Sequence, residues 1–314
     1  MRHKKLEIPE FLHGKRADIA ISELLGNELS RNQVKDLIKS GDILINDERC
    51  KPKDKVCHND QIDVSIPDAE VSSWTAEDIN LDIIFACDDY AIINKPAGLV
   101  MHPGAGVKSG TLANAVAKVY PEVLSLPRNG IVHRLDKDTS GLVVIARKNS
   151  FRNYISEQFQ NREVEKKYLA VIKGEIIGAL TIDKPIARDR QNRTKMKVDE
   201  NGREAISEAI SLESFGGYSV VEVKIETGRT HQIRVHLSSN KTPIIGDKAY
   251  GSGSQLIKDL SGNVKDKILS FPRQALHAYQ LAFLDASNEM QTYKSNLPDD
   301  ILGLIESLKS NENA

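Results

Sequence analysis

Short runs of β-branched and aromatic residues, separated by turns and brief helical stretches, constrain the fold of this chain most. The apolar runs lie at residues 83–85, 91–93, 142–145, 168–172 and 220–225, and helical patterns lie at 112–119, 151–159 and 232–237. Strands outnumber helices, and short turns such as 200–202 and 216–217 join several of them. This order predicts an α+β domain built on a mixed, largely antiparallel sheet.

A small separate unit is predicted ahead of the large domain. A helix is predicted over residues 31–40, with a capping box of Ser30 and Gln33 at its start and Gly41 at its end. Short strands are predicted at 43–45 and 61–66, and a polar, acidic segment follows. We therefore expect a tail at residues 1–12, a small α+β unit at 13–68, a linker at 69–80 and a large domain at 81–314.

The predicted helix at 31–40 carries a basic edge. Arg31, Lys35 and Lys39 occupy successive i,i+4 positions and so share one face. A solvated helix surface is one interpretation of this edge, and contact with the phosphates of a nucleic acid is another.

The composition excludes several classes of protein. Lys and Arg number 43 and Asp and Glu 44, so any nucleic-acid site must be a local patch on a nearly neutral chain. Cys50, Cys57 and Cys87 contain no Cys-x-x-Cys, which argues against a disulfide framework, a zinc knuckle or a redox pair. No apolar run has the length of a bilayer span, and the N terminus lacks the apolar stretch of a secretory leader. We expect a cytoplasmic protein without a membrane partner.

Three polar clusters stand out in the large domain. The first, His133-Arg134-Leu135-Asp136, lies between an apolar strand and Gly141, which suits a functional loop at a sheet edge. A surface turn in which Arg134 pairs with a nearby carboxylate is an alternative. The carboxylates of Asp136 and Asp138 could also suggest a glycosidase, although no aromatic sugar platform accompanies them.

The second cluster is Thr227-Gly228-Arg229-Thr230-His231-Gln232-Ile233-Arg234-Val235-His236. Thr230 is predicted to cap a helix, which places Arg229 at the positive end of the macrodipole. Arg229 therefore needs an offsetting anion, and a carboxylate of the first cluster would serve. His231 and His236 are five residues apart and share no face of a helix or strand, so a paired metal site is not expected.

The third cluster, Lys166-Lys167-Tyr168, opens a strand with basic residues, and its pattern alone predicts an ordinary core position for Tyr168. Residues 128–168 hold nine Lys or Arg and five Asp or Glu, and residues 184–203 hold seven and three, so each stretch has a net charge of +4. Acids elsewhere in the chain thus mask a basic surface that suits RNA.

Taken together and in this order, the three clusters resemble the RluA family of pseudouridine synthases. The shared motifs are His-Arg-Leu-Asp-x-x-Thr-Ser-Gly-Leu, Lys-x-Tyr-x-Ala and Thr-Gly-Arg-Thr-His-Gln-Ile-Arg-Val-His. Residues 13–68 resemble the S4 RNA-binding domain, although Asn59 stands where glycine is more usual. Residues 283–286 also depart from the His-Pro that many relatives carry.

The resemblance implies isomerisation of uridine to pseudouridine in RNA, with no cofactor or metal. Asp136 matches the catalytic carboxylate, which either attacks a carbon covalently or removes a sugar proton; the sequence does not separate these routes. By the same resemblance Arg229 keeps Asp136 ionised, and Tyr168 stacks on the uracil.

The resemblance also implies RNA contacts. Arg134 would hold the gap left by an extruded base, with His133 beside it, and Arg31, Lys35 and Lys39 would contact phosphates. Within the family, the pattern is most similar to enzymes that modify the helix 69 stem-loop of large-subunit (23S) rRNA. Other 23S rRNA or tRNA uridines are an alternative target, and a non-catalytic S4-type RNA-binding or ribosome-assembly factor is an alternative of another class. The expected partner is 23S rRNA or a pre-50S particle, bound by a monomer.

Overall fold

The structure is a computed structural model that describes residues 2–29, 31–66, 74–104, 106–251 and 262–312. The N-terminal unit contains β1 (Arg2–Glu7), α1 (Ala17–Leu25), α2 (Arg31–Ser40), β2 (Ile43–Ile45), β3 (Glu48–Arg49) and β4 (Gln61–Ile66). Its strands form one sheet in the order β1-β4-β2-β3, and α1 and α2 pack on it around a small apolar core.

The predicted tail at residues 1–12 is wrong. Residues 2–7 form β1, which pairs antiparallel with β4, and the side chains of Ile8 and Leu12 are fully buried. β1 is an edge strand whose charged residues face solvent, so it lacks the apolar alternation that marks a strand in a sequence. Cross-strand pairing with β4 decides its conformation.

The predicted helix at 31–40 is confirmed as α2. Val34 and Ile38 are buried, and Gly41 follows with a φ of 89°, the left-handed conformation that ends many helices. The predicted capping residue Ser30 lies outside the described residues.

The large domain contains eleven further strands and five further helices within the described ranges. The strands are β5 (Asp82–Ala86), β6 (Tyr90–Lys95), β7 (Ser140–Ala146), β8 (Glu165–Lys173), β9 (Ala179–Asp183), β10 (Ile186–Arg188), β11 (Met196–Val198), β12 (Ile206–Phe215), β13 (Tyr218–Ile225), β14 (Leu276–Leu284) and β15 (Met290–Lys294). The helices are α3 (Leu112–Val119), α4 (Asn149–Asn161), α5 (Gln232–Ser239), α6 (Gly262–Ser270) and α7 (Asp299–Glu312).

One sheet organises this domain. Its strand order is β5-β6-β7-β14-β8-β13-β12-β9, with β15 paired to β14, while β10 and β11 form a separate two-stranded hairpin. Among the described strands, β7 and β14 are the one parallel pair, and the others are antiparallel. The predicted mixed, largely antiparallel sheet is therefore confirmed.

The central strands are covered on both faces, because alternate residues of a strand point to opposite sides. Ala91 and Ile93 of β6 belong to the main core, which also contains the buried side of α3. Tyr90 and Ile92 belong to a second apolar cluster together with Phe151 of α4. Because both faces are buried, nearly every residue of such a strand is apolar, and the strand is easily predicted from the sequence.

The predicted linker at 69–80 is only partly described, because residues 69–73 lie outside the described ranges. Residues from Trp74 onwards attach to the large domain: the Glu77 backbone N–H donates to the Asn114 carbonyl, and Asn114 Nδ2 donates to the Thr75 carbonyl. The N-terminal unit contacts α4, where Asn149 Nδ2 donates to the Glu28 carbonyl at 2.7 Å. None of the described helices is both long and apolar enough to cross a bilayer.

Two glycines bracket the loop at residues 131–139, which leads into β7. A Cβ on Gly130 would lie 2.0 Å from the Ala146 carbonyl oxygen, and one on Gly141 would lie 2.3 Å from the Ala278 carbonyl oxygen. Both residues also have positive φ values, 74° and 117°. Only glycine satisfies both conditions, so the backbone path at each end of the loop depends on these two residues.

Lys95 holds the same loop from beneath. Its fully buried ammonium group donates to the carbonyls of Pro96, Leu99 and Lys137, at 2.8, 2.9 and 2.9 Å. The three donors of an ammonium match three carbonyl acceptors, which satisfies a charge that would otherwise be costly to bury.

We predict that Lys95→Met lowers the free energy of unfolding by about 2–5 kcal/mol, because buried carbonyls lose their donor. Urea denaturation measures this loss. Lys118→Met, at an exposed position of α3, is the control and should change stability by less than about 0.5 kcal/mol. Equal stability of the two variants would contradict a structural role for Lys95.

Candidate active site

The loop at 131–139 presents Asp136 to an open cleft of about 820 Å³. The Lys137 carbonyl accepts from both Lys95 Nζ and the Gly98 backbone N–H, and the Thr139 N–H donates to the Asp136 carbonyl. Leu135 is buried beneath the loop. These contacts fix the backbone on both sides of Asp136, so its carboxylate has a defined position.

Arg234 is the partner of Asp136. Arg234 Nη1 donates to Asp136 Oδ2 at 3.0 Å, while Nε and Nη2 donate to the two oxygens of Asp247 at 2.7 and 2.8 Å. Asp247 Oδ1 also accepts the backbone N–H groups of Ala249 and Tyr250. A buried guanidinium thus joins two carboxylates, and its planar set of donors suits this bridging geometry.

The electrostatics of this network favour charged groups. Burial lowers the pKa of Arg234, but the hydrogen bonds and charges of Asp247 and Asp136 outweigh it and raise that pKa. Burial likewise raises the pKa of Asp247, but its hydrogen bonds with Arg234 and the charge of that side chain outweigh burial and lower it. At neutral pH, Arg234 and Asp247 are therefore a stable ion pair on which Asp136 depends.

The prediction that Arg229 pairs with Asp136 is wrong. Arg229 lines the cleft, but its Nε donates to the Glu204 carbonyl at 2.9 Å, and no ion pair joins it to Asp136 in the described structure. α5 begins at Gln232, so Arg234 rather than Arg229 lies within its first turn. Two carboxylates offset the unfavourable position of a cation there, as the macrodipole argument required.

The predicted cap at Thr230 is also replaced. The residue before α5 is His231, in the left-handed conformation, and it makes no side-chain cap. The buried Gln232 side chain closes the turn instead: its Oε1 accepts from Thr227 Oγ1 and the Arg229 N–H, and its Nε2 donates to the Ile206 carbonyl. A buried amide with several backbone contacts stabilises the turn more completely than a threonine hydroxyl could.

His231 and Tyr250 complete the surroundings of Asp136, and the sequence assigned neither to the site. The Tyr250 hydroxyl accepts from the Met196 N–H at 2.8 Å and lies 2.7 Å from His231 Nδ1. Because the hydroxyl oxygen already accepts from Met196, the Tyr250 O–H can donate its proton to His231 Nδ1. The proton of a neutral imidazole then lies on Nε2, which is 3.9 Å from Asp136 Oδ1. The Tyr250 ring also stacks on Arg234, with the guanidinium carbon 5.0 Å from the ring centroid.

Burial lowers the pKa of His231, although the charge of Asp136 opposes the shift. A neutral His231 fits the hydrogen bond from Tyr250. The N–H at Nε2 and the carboxylate oxygen Asp136 Oδ1 then face each other across a gap that a substrate oxygen could bridge.

His133 is half-buried in the cleft wall, and one nitrogen of its ring is used inside the protein. Its Nε2 accepts the Val144 backbone N–H at 2.9 Å, and its ring stacks on Phe159 with centroids 4.9 Å apart. Burial and the charge of Lys166 lower the pKa of His133 to about 3, so the imidazole is neutral. This internal hydrogen bond anchors the loop to β7, and the RNA contact of His133 stays a prediction.

Tyr168 is buried, whereas Arg134 is exposed to solvent. Tyr168 of β8 is buried in the cleft wall, where desolvation and the charge of Asp136 raise its pKa and keep it protonated. Arg134 is exposed on the cleft rim. The structure therefore brings together five predicted site residues in one cleft: Asp136, Tyr168, Arg134, His133 and Arg229.

The other predicted cations lie in the N-terminal unit. Arg31 and Lys35 both point at the fully buried Asp18, at 2.9 and 3.7 Å, and Arg16 pairs with the same carboxylate at 2.9 Å. Lys39 pairs with the exposed Asp36 at 3.8 Å. Two residues of the basic edge, Arg31 and Lys35, thus form a cluster with Arg16 around one internal anion, and Lys39 lies outside it.

Comparison with known proteins agrees with this geometry. A family model of RNA pseudouridylate synthases matches residues 89–239, and an S4 domain model matches residues 16–62. Ribosomal large subunit pseudouridine synthase D of Xanthomonas campestris pv. campestris is 39% identical over 96% of this chain and 91% of its own. The protein of the same name from Pseudomonas aeruginosa is 38% identical over 100% of this chain and 98% of its own.

A solved structure extends the likeness to the fold. Human RNA pseudouridylate synthase domain containing 4 superposes with a TM-score of 0.58 at 27% identity, covering 73% of this chain and 93% of its own. The sheet and the matched segments around the cleft are those of an RNA pseudouridine synthase, an enzyme that isomerises uridine in RNA. The chain belongs to the RluA-type family of these synthases, with an S4 domain ahead of the catalytic domain.

We predict that Arg234→Gln lowers kcat/KM by at least about 10³-fold, because it leaves the carboxylates of Asp136 and Asp247 without their shared cation. Arg229→Gln should cost about tenfold or less, since Arg229 contacts only a backbone carbonyl. Single-turnover assays with RNA measure both losses. Arg234→Lys keeps the charge but loses the planar fork, and intermediate activity is expected. A larger loss in Arg229→Gln than in Arg234→Gln would contradict the assignment of Arg234.

Proposed function

We propose that this enzyme isomerises uridines in the helix 69 stem-loop of large-subunit (23S) rRNA, with Asp136 as the reacting carboxylate. The observation that carries the chemistry is the arrangement of Asp136 in the lining of the cleft: Oδ2 accepts from Arg234 Nη1, while Oδ1 lies 3.9 Å from His231 Nε2. The named relatives act on the ribosomal large subunit, and they match the chain through both domains. Their names do not specify a stem-loop, and the choice of helix 69 is our own proposal.

The geometry assigns a division of labour around Asp136. Arg234 stabilises the ionised carboxylate, so its other oxygen, Oδ1, can attack a carbon or remove a sugar proton. Tyr168, buried in the wall beside it, provides a face on which the uracil can stack. Both routes for the carboxylate use the same oxygen, and no atom is gained or lost overall.

A uracil in a folded stem-loop is not accessible in place, so the base must be extruded into the cleft. Arg134 on the exposed rim is placed to occupy the gap that the base leaves behind. The hairpin of β10 and β11 lies within the basic stretch 184–203. In its turn, Lys195 donates to the carbonyl of Ala249, two residues after Asp247. This hairpin offers further phosphate contacts next to the active site.

The cluster around Asp18 suits an RNA contact of the S4 domain. Arg16, Arg31 and Lys35 bring three positive charges to one buried carboxylate, so a net positive charge remains on the surface. Burial raises the pKa of Asp18, but hydrogen bonds from Arg16 and Arg31 outweigh it and lower that pKa. Asp18 is therefore ionised at neutral pH, and it holds the arginines in fixed positions for phosphates. We further propose that the enzyme is a cytoplasmic monomer and that its substrate is free 23S rRNA or a pre-50S particle.

We predict that the wild-type protein introduces pseudouridine into helix 69 when it is incubated with an unmodified 23S rRNA transcript. Asp136→Asn should introduce none, because an amide is neither a nucleophile nor a base here, while its RNA affinity stays within about twofold. Mass spectrometry of nuclease fragments locates the product. Pseudouridine only elsewhere in the transcript, or only in tRNA, would reject helix 69 as the target; turnover by Asp136→Asn would reject the carboxylate assignment.

We predict that Asp18→Asn weakens RNA binding although it removes a negative charge. Charge alone would strengthen binding to phosphates, whereas loss of the anchor disorders Arg16 and Arg31. Fluorescence anisotropy with labelled RNA at several salt concentrations measures the affinity, and circular dichroism verifies folding.

The matched control is Asp36→Asn, which removes an exposed acid of α2 without touching the cluster around Asp18. This variant should bind RNA equally well or slightly more tightly. Tighter binding by Asp18→Asn as well would show that Asp18 does not organise an RNA contact.

A further inference from the structure

Lys166 is a nearly buried cation on the cleft wall. It lies in β8 with 8% of its surface exposed, and its Nζ lies 5.6 Å from the centroid of the Phe159 ring. Across the described chain, no carboxylate lies within ion-pair distance of this ammonium group. A cation–π contact contributes modestly to a buried ammonium and does not replace a counterion.

The direction of Lys166 follows from strand geometry. Lys166 and Tyr168 are two residues apart in β8, so their side chains lie on the same face, and both line the cleft. Their Cα atoms are about 7 Å apart along the strand. Lys167 points to the opposite face, where it pairs with Glu222 at 3.4 Å. Adjacent lysines of one strand thus have opposite surroundings.

Arg128 is a second cation of the cleft. It is exposed and makes no ion pair within the described ranges. His133, which also lines the cleft, is neutral and contributes no charge. By contrast, Arg234 in the same cleft pairs with both Asp136 and Asp247.

Burial without a counterion lowers the pKa of Lys166 to about 8. A charge held in this way is unfavourable in the free protein and becomes favourable when an anion enters. RNA supplies one anionic phosphodiester on each side of every nucleotide. A general base would need no neighbouring cations, whereas a phosphate site gains from Arg128 in the same cleft.

We propose that Lys166 binds a phosphate that flanks the extruded target nucleotide, while Tyr168 contacts its uracil. The inference rests on the proposed placement of the uracil against Tyr168, but not on helix 69 as the target. Lys166 is then a substrate-binding residue that positions the nucleotide for Asp136, and Arg128 supports the same phosphate from the rim.

The test compares Lys166→Met with its neighbour Lys167→Met in the full-length protein. Methionine keeps the apolar length of the side chain and removes the charge. Because Lys166 is unpaired in the free protein, Lys166→Met should leave the thermal midpoint unchanged or raise it. The same substitution should raise the RNA concentration for half-maximal single-turnover rate by about tenfold or more. Lys167→Met should leave this concentration within about twofold.

Modified substrates identify the phosphate. The RNA is a synthetic stem-loop that carries whichever uridine the wild-type enzyme modifies in the mapping experiment, with a neutral methylphosphonate placed 5′ or 3′ of that uridine. Turnover of the unmodified stem-loop tests the proposed function separately. With one of the two modified RNAs, the half-maximal RNA concentrations of wild type and Lys166→Met should agree within about twofold, because both pairs lack the contact between Lys166 and that phosphate.

Several results would overturn the proposal. One is a lower thermal midpoint for Lys166→Met. Another is an equal rise in the half-maximal RNA concentration for Lys166→Met and Lys167→Met. A third is that Lys166→Met raises this concentration as much with either methylphosphonate RNA as with the unmodified RNA. A lower rate at saturating RNA with unchanged half-maximal concentration would instead assign a proton-transfer role to Lys166 and would also reject phosphate binding.

Discussion

The Arg234 guanidinium, held between Asp136 and Asp247, is the interaction on which the site depends. Asp247 is almost fully buried and would be costly without a cation, and Arg234 in the first turn of α5 lies where the helix dipole favours an anion beside it. The bridge joins three distant segments: the loop before β7, the first turn of α5, and the segment that follows α5. Asp136 is therefore positioned by one shared ion network rather than by local sequence.

The scaffold around that network is rigid for identifiable reasons. Lys95 ties the Lys137 carbonyl of the loop to those of Pro96 and Leu99, and His133 ties the loop to β7 by accepting a backbone N–H. Gly130 and Gly141 permit backbone approaches that exclude any Cβ. A reacting carboxylate benefits from such support, because a small displacement costs much of the rate. The residues that hold Asp136 are thus as specific as those that would touch RNA.

Charge is distributed unevenly across a chain whose net charge is −1. Within the cleft, Arg234 is neutralised by two carboxylates. Lys166 and Arg128 line the same cleft and have no carboxylate partner among the described residues, which is why we propose a phosphate contact for them. The S4 domain shows an intermediate arrangement, in which Asp18 orders several cations but does not neutralise them. Cations that are neutralised by carboxylates hold the structure together, whereas cations without a carboxylate partner are suited to bind RNA phosphates.

The sequence by itself determined the α+β class, most strands and helices, and the clusters that meet in the cleft, because period, turns and motif order are local properties. It also predicted Asp136 and Tyr168 as site residues from a family resemblance. Only the tertiary structure decided that Arg234 rather than Arg229 pairs with Asp136, that His133 binds the backbone of β7, and that residues 2–7 form a strand. Each of these depends on partners in other segments of the chain, from 11 to 98 residues away, and a side chain's type does not reveal which carboxylate, backbone group or strand edge it meets.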